Sequence, residues 1–399
     1  MKVRKTIPPT AAPVSARDLV RGISGLFSCV DPGKFENGIR EYFGSEFVFL
    51  VSSGKAALVL ILKGLSSLRA RKKVLIPAYT CYSVPSAIVK SGLEIALCDV
   101  DPDTLDFDYP QLERLADDKT LCIVSTHLFG IPTDVDRTRR ICKEKGIFLV
   151  EDAAQAMGVT HAGQKLGTIG DVGFFSLGRG KNITCGSGGI ILIGSEEVAG
   201  AFRGPYNQLK TESLQVSAKT LLELSLMEVF MNPFLYWLPD GLPFLKIGET
   251  HFDSNFPMFR MNRVKYKLLQ NWKKKLDIFN NIKLNASEEY KDTLNLNRKI
   301  KIYSSKIPYL RFPIYLRNEE VKKKICSEYS HIGISSMYPG SINTINELSE
   351  AVRNYNCPAS AMIAKKLVTL PAHGFVDGDQ RKKICSIISD ALDDTYRNP

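Results

Sequence analysis

The sequence predicts an α/β protein: a large domain with a mostly parallel sheet covered by helices on both faces, followed by a smaller α+β domain. Three observations predict it. Apolar runs alternate with helix-patterned segments five times between residues 47 and 152. The runs are continuous rather than alternating, as parallel strands buried on both faces require. After about residue 250 the pattern changes to a long helix and then mixed short elements. The boundaries expected are 1–250 for the large domain and 251–399 for the small one.

In order, "EFVFLVSS" reads as a buried strand and "GKAALVLILKGLSSL" as the helix it feeds. "KKVLIPA" is a strand and "SVPSAIVKSG" is helical. "LEIALCDVD" precedes the short helix "YPQLERLADD", and "TLCIVSTH" precedes "DVDRTRRICKEKG". "IFLVEDA" is the fifth strand. "DVGFFSLG" and "GGIILIGS" add two more with no helix between them. An apolar insertion at about 206–248 follows, with Trp237 and three prolines, Pro233, Pro239 and Pro243. The stretch "NRVKYKLLQNWKKKLDIFNNI" predicts one long helix. Strand "YLRFPIYL" and helices "EEVKKKICSEYS" and "DGDQRKKICSIISDALDD" complete the small domain.

The chain has 399 residues, 44% apolar and 24% charged, an ordinary globular composition. The basic N-terminus is not followed by an apolar run, which argues against a secretory signal. No stretch reaches the roughly 18 apolar residues of a membrane span. Nine cysteines lack paired or metal-ligand spacing and read as reduced thiols of a cytoplasmic protein, with no metal site. The net charge of +11 lies in short clusters without interleaved aromatics. That pattern fits solvated faces better than nucleic-acid binding.

Chemistry concentrates at the strand ends, where parallel sheets bind ligands. Ser52, Ser53 and Gly54 form a strand-to-helix turn suited to a phosphate. Glu151 and Asp152 end an apolar strand, and Gln155 follows one turn later. Ser176 ends the next strand, and Lys181 lies in a glycine-rich loop. A carboxylate, a phosphate cradle and a lysine together are the parts that hold pyridoxal 5′-phosphate.

At "VSSGKAAL", "IPAYTCYSVPSAIVKSGLEIALCDVDPDTLDFD", "THLFGIPTDVD", "VEDAAQAMGVTHAGQKLGTIGDVGFFSLGRGKNITCGSGGIILI" and "CPASAMIAKKLVTLPAHGFVDGDQ" the chain resembles the nucleotide-sugar aminotransferases of the DegT/DnrJ type. The resemblance implies the large pyridoxal-phosphate aminotransferase fold. It assigns Lys181 as the Schiff-base lysine, Asp152 as the partner of the pyridine nitrogen and Gln155 as a contact of the phenolic oxygen. Ser53, Gly54, the backbone of Lys55 and Ser176 are to hold the phosphate, and Glu151 is a structural neighbour. It further implies an amino-acid donor such as glutamate, a nucleotide-sugar acceptor, a role in amino-sugar or surface-polysaccharide synthesis, and a homodimer.

Several positions depart from the family pattern. Lys55 stands where threonine is usual. Cys81 replaces a ring-stacking aromatic, which makes Tyr82, with Tyr79, the candidate cofactor contact. Ser187 replaces a glutamate. Met258 replaces an asparagine, with Asn255 or Asn262 as substitutes, and Met337 replaces a histidine. Related readings are a sugar dehydratase, which carries histidine in place of the lysine; a desulfurase using Cys185; and a cofactor-bound sensor or scaffold without turnover. For the insertion the expectation is a buried helical hairpin over the dimer interface or site entrance. The alternative is peripheral membrane contact through 219–246, with Phe230, Phe234, Trp237 and Leu238 dipping into lipid and Lys210, Lys219 and Lys246 meeting its charge.

Overall fold

The computed structural model describes residues 5–397 except 12–13, 29, 243–247, 249, 295–299 and 304–305. Pro243 and Lys246 therefore lie outside the described residues. Two helices open the chain, α1 (Ala16–Ser24) and α2 (Pro32–Phe43). The seven predicted strands then form one sheet. They are β1 (Phe47–Val51), β2 (Lys73–Pro77), β3 (Glu94–Cys98), β4 (Thr120–Thr126), β5 (Phe148–Asp152), β8 (Val172–Ser176) and β9 (Gly189–Ile193). A short hairpin, β6 (Thr160–His161) and β7 (Gln164–Lys165), stands apart. The sheet order is β1-β9-β8-β5-β4-β2-β3. Only β9 runs against its neighbours, because it follows β8 without a crossover helix.

The connecting helices are α3 (Gly54–Leu68), α4 (Ser83–Lys90), α5 (Tyr109–Leu115), α6 (Val135–Lys145) and α7 (Glu196–Gln208). Helices α3, α4 and α7 cover one face of the sheet, and α2, α5 and α6 the other. Helix α3 is apolar on nearly every side because the sheet and two helices enclose it. Its first turn starts at Ser53, whose Oγ accepts from the Ala56 N–H at 3.1 Å.

The insertion forms α8 (Leu214–Phe230) and the single turn α9 (Trp237–Asp240). Ser217, Thr220, Leu221 and Leu224 of α8 face inward, with Leu221 against Gly22 of α1. Leu222, Leu226 and Val229, half a helical turn away, are exposed, as is Phe234 just beyond. Helix α8 is thus apolar on two opposite sides. Among the described residues no helix is long and apolar enough to cross a membrane.

The predicted long helix is two, α10 (Arg263–Leu268) and α11 (Trp272–Leu294). Buried Leu268, Leu269 and Trp272 keep one stripe in phase across the break, so periodicity does not reveal it. The remaining helices are α12 (Glu319–Glu328), α13 (Glu350–Arg353), α14 (Pro358–Lys366) and α15 (Gly378–Arg397). They accompany an antiparallel sheet of β10 (Ile300–Ile302), β11 (Phe312–Leu316) and β12 (Leu367–Leu370). One apolar core runs from the α2/α5/α6 side of the large sheet into this smaller one.

Candidate active site at the strand ends

Strand β5 ends in two buried carboxylates that point to opposite faces, as the period of a strand requires. Glu151 is fully paired. It accepts from the N–H groups of Gly167, Ile169 and Gly170 at 2.9, 2.6 and 2.7 Å, and meets His127 Nε2 at 3.0 Å. Burial pushes its carboxyl up, but His127 and the backbone donors outweigh this and hold it below the ordinary value. Glu151 is the structural neighbour expected, with His127 as its partner.

Asp152 is different. Its carboxylate accepts from the Ala154 N–H at 3.1 Å, and no further hydrogen bond reaches it among the described residues. Burial raises its pKa, opposed by that N–H and by the charges of Lys181 and His127. A buried carboxylate so lightly paired is open to a cationic N–H. Lys181 lies in the turn after β8, where its backbone N–H donates to Gly178 O. Its ammonium makes no hydrogen bond or ion pair among the described residues. Gly180 precedes it with φ +72, and a Cβ there would sit 2.5 Å from Thr10 Oγ1. The turn therefore needs glycine twice over, for its left-handed backbone and for the approach of the N-terminal segment.

Gln155 is held at both ends. Its Oε1 accepts from the Phe129 N–H at 3.0 Å, and its Nε2 donates to Tyr338 Oη at 2.9 Å. Phe129 has φ 59, a left-handed conformation costly for a bulky residue. The Gln155 bond helps hold it. One N–H of the amide remains for a ligand.

The cradle lies where the start of α3 meets the end of β8. A Cβ added to Gly54 would fall 3.0 Å from Ser176 Cβ and 3.1 Å from its Oγ, so side chains larger than hydrogen would fill it. The first-turn N–H groups of Gly54 and Lys55 have no partner among the described residues. With the helix dipole of α3 and the hydroxyls of Ser53 and Ser176, they suit a phosphate dianion. The residues present fit pyridoxal 5′-phosphate: an anion cradle, a lightly paired buried carboxylate for the ring nitrogen, and an unpaired amine.

The substitutes for the lost family residues fare unevenly. Tyr82 packs in the apolar layer of α3 and α4, and its hydroxyl turns to Thr344. Tyr79 packs edge-on against Tyr338, with centroids 5.3 Å apart, and so belongs to the Gln155 side. Cys81 Sγ lies 3.5 Å from Thr250 Oγ1. The Lys55 side chain reaches Asp253 at 3.4 Å and sits over the Phe256 ring, while its backbone stays in the cradle. Asn262 is committed as the cap of α10 and a donor to Ser217. Asn255 is exposed. Ser187 accepts from the buried Lys265, which also pairs with Glu212 at 2.6 Å.

Tyr338 and Arg311 escape a reading based on local motifs. Arg311 is buried, and burial lowers its pKa to about 10. Its guanidinium donates to Ser335 Oγ at 3.0 Å, and it raises no ion pair among the described residues. The nearest local signal is the "MYP" piece, Met337 to Pro339, whose middle residue is Tyr338.

A model of the DegT/DnrJ/EryC1/StrS aminotransferase family matches residues 31–389. Among curated proteins, GDP-perosamine synthase of Vibrio cholerae is 29% identical over 181 residues, 43% of this chain and 49% of that protein. The chain thus matches about half the length of that relative. Among solved structures, Helicobacter pylori PseC, an aminotransferase involved in the biosynthesis of pseudoaminic acid, superposes with a TM-score of 0.79 at 16% identity. That match covers 98% of this chain and 100% of PseC. The E. coli GDP-4-keto-6-deoxy-D-mannose-3-dehydratase with bound hydrated PLP gives 0.74 at 17% identity, over 96% of this chain and 99% of the other. At such identities these likenesses show the fold. With the family match spanning most of its length, the chain belongs to the DegT/DnrJ/EryC1/StrS aminotransferase family.

Proposed function

We propose that this protein is a pyridoxal-phosphate-dependent aminotransferase that moves an amino group from an amino acid, glutamate, to the keto group of a nucleotide-activated sugar. The observation that carries the reading is the unpaired Lys181 amine set near the lightly paired Asp152. Bound in this site, pyridoxal phosphate supplies a protonated ring that draws electron density from the amino-bearing carbon. Asp152 holds the proton on the ring nitrogen. Ser53, Ser176 and the N–H groups of Gly54 and Lys55 bind the phosphate. The spare N–H of Gln155 orients the ring. Lys181 Nζ takes the proton from the amino-bearing carbon and returns it during transfer.

Lysine at position 181 supports amino transfer over the dehydratase reading, which expects histidine there. On this reading the protein works as a cytoplasmic homodimer supplying amino sugars, and the outer face of α8 is its surface for a second copy or an anionic membrane. The test is direct. Protein loaded with pyridoxal phosphate is yellow, and glutamate should bleach it with release of the keto acid. Nucleotide-linked keto-sugars should then restore the colour and leave an aminated product. Colour that no amino acid bleaches would overturn the reading in favour of a sensor or scaffold.

A further inference from the structure

A cavity of about 280 Å³ has neither Asp152 nor Lys181 in its lining. Its walls come from the N-terminal segment, the inner edge of α8, α11 and the turn at 373–375. Most of the lining is apolar, including Met227, Met231, Phe279 and Phe375. One cation faces it, Lys283. This side chain is only 6% exposed and makes no hydrogen bond or ion pair among the described residues. Its backbone carbonyl is used by Ser287, which does nothing for the amine. Burial lowers the Lys283 pKa to about 7. A buried amine with no partner costs free energy that an anion would offset.

The neighbouring titratable groups leave the amine without a partner. His373 also lines the cavity, but its Nε2 faces Pro8 O at 2.8 Å and its Nδ1 accepts from the Phe375 N–H at 3.3 Å. Burial lowers its pKa to about 4, and the charges of Lys283 and Arg311 act the same way. The imidazole is therefore neutral, and two cations bear on it. Glu228 is the acid among the lining residues, with burial and Asp18 raising its pKa. It forms no ion pair with Lys283 among the described residues.

We propose that this cavity binds a small anionic ligand with an apolar body, its carboxylate or phosphate head on Lys283 Nζ and its body against Met227, Met231, Phe279 and Phe375. The walls account for the two parts separately: four large apolar side chains exclude water, and the single amine supplies the head site. Neither Lys181 nor Asp152 lines the cavity, so binding can be measured without turnover.

The probes are hexyl phosphate, hexanoate and hexanol, titrated calorimetrically into the full-length protein. At least one anion should bind about tenfold or more tightly than hexanol, the scale of one charge-assisted hydrogen bond. The tighter anion identifies the head group. Lys283→Met should erase that advantage, while Lys283→Arg retains it. Met231→Trp should block all three probes by filling the apolar end, with circular dichroism confirming the fold of each variant. Equal binding of hexanol and both anions, no binding of either anion, or undiminished anion binding by a folded Lys283→Met variant would each overturn the proposal.

Discussion

The strand-end site and helix α8 are both incomplete surfaces, in opposite senses. At the strand ends, polar groups are buried and then left short of partners: Asp152 with one N–H, Lys181 with no bond, Gly54 and Lys55 with open N–H groups. On and just beyond α8, apolar side chains are present in excess and exposed on this chain: Leu222 is 62% exposed and Phe234 69%. Unsatisfied polar groups in a dry place call for a charged ligand of matching shape. An uncovered apolar face calls only for area. Glu151 is the control within the first region. It is as buried as Asp152, yet every oxygen is paired, so it is scaffold rather than site.

The sharpest test of that contrast is Lys181→Ala. It should reduce transamination by about 10²–10⁴-fold or more while leaving the melting temperature unchanged, because the amine makes no protein contact to lose. Normal turnover in the purified variant would move the reactive lysine elsewhere. Asp152→Asn comes next. Cofactor should remain bound, but the rate should fall by about 10²–10³-fold, since an amide does not hold the ring nitrogen protonated. Single-turnover absorbance kinetics would measure it, and a near-normal rate would make Asp152 only a local acceptor for Ala154.

Glu151→Ala should act on stability instead. Removing it strands His127 and three backbone donors, at a cost of about 3–5 kcal/mol by chemical denaturation. The wild-type pH profile carries the same signature. The folded-state pKa of Glu151 is depressed, so its contribution is present above its unfolded value and is lost as pH falls through the folded one. A Glu151→Ala variant that loses stability with acid as steeply as wild type would remove Glu151 from that role. The smallest effects divide the two sides of α8. Leu224→Ala, on the inner side, should cost about 2–5 kcal/mol, whereas Leu226→Lys, outside, should stay within about 0.5 kcal/mol. Leu226→Lys should instead lower dimer mass in solution or flotation on anionic vesicles. No change in either would leave the outer face without a partner of those two kinds.

Local pattern made much of this legible. Continuous apolar runs mark β1 to β5, because strands covered on both faces have no polar side to show. Ser53, Gly54, Asp152, Gln155, Ser176 and Lys181 stand out because each sits where a strand ends and a helix or turn begins. Tyr82 takes part in the apolar cluster that holds α3 and α4, which its place in the sequence did not show. In helix α8, apolar residues on every side read as burial. Only the packing shows that α1 covers one side while the other stays exposed on this chain.

By itself the sequence determined the strand and helix order, the family, and the short-range chemistry of the β5 and β8 ends. These depend on periodicity, turn residues and spacing along the chain. Tertiary structure alone decided that Tyr338 meets Gln155 across 183 positions, that Asn262 is a helix cap rather than a ligand contact, and that Lys283 faces an apolar cavity without a partner. The reason is physical: a polar group's role is set by which partners reach it in the dry interior, and those partners come from elements far apart in the chain.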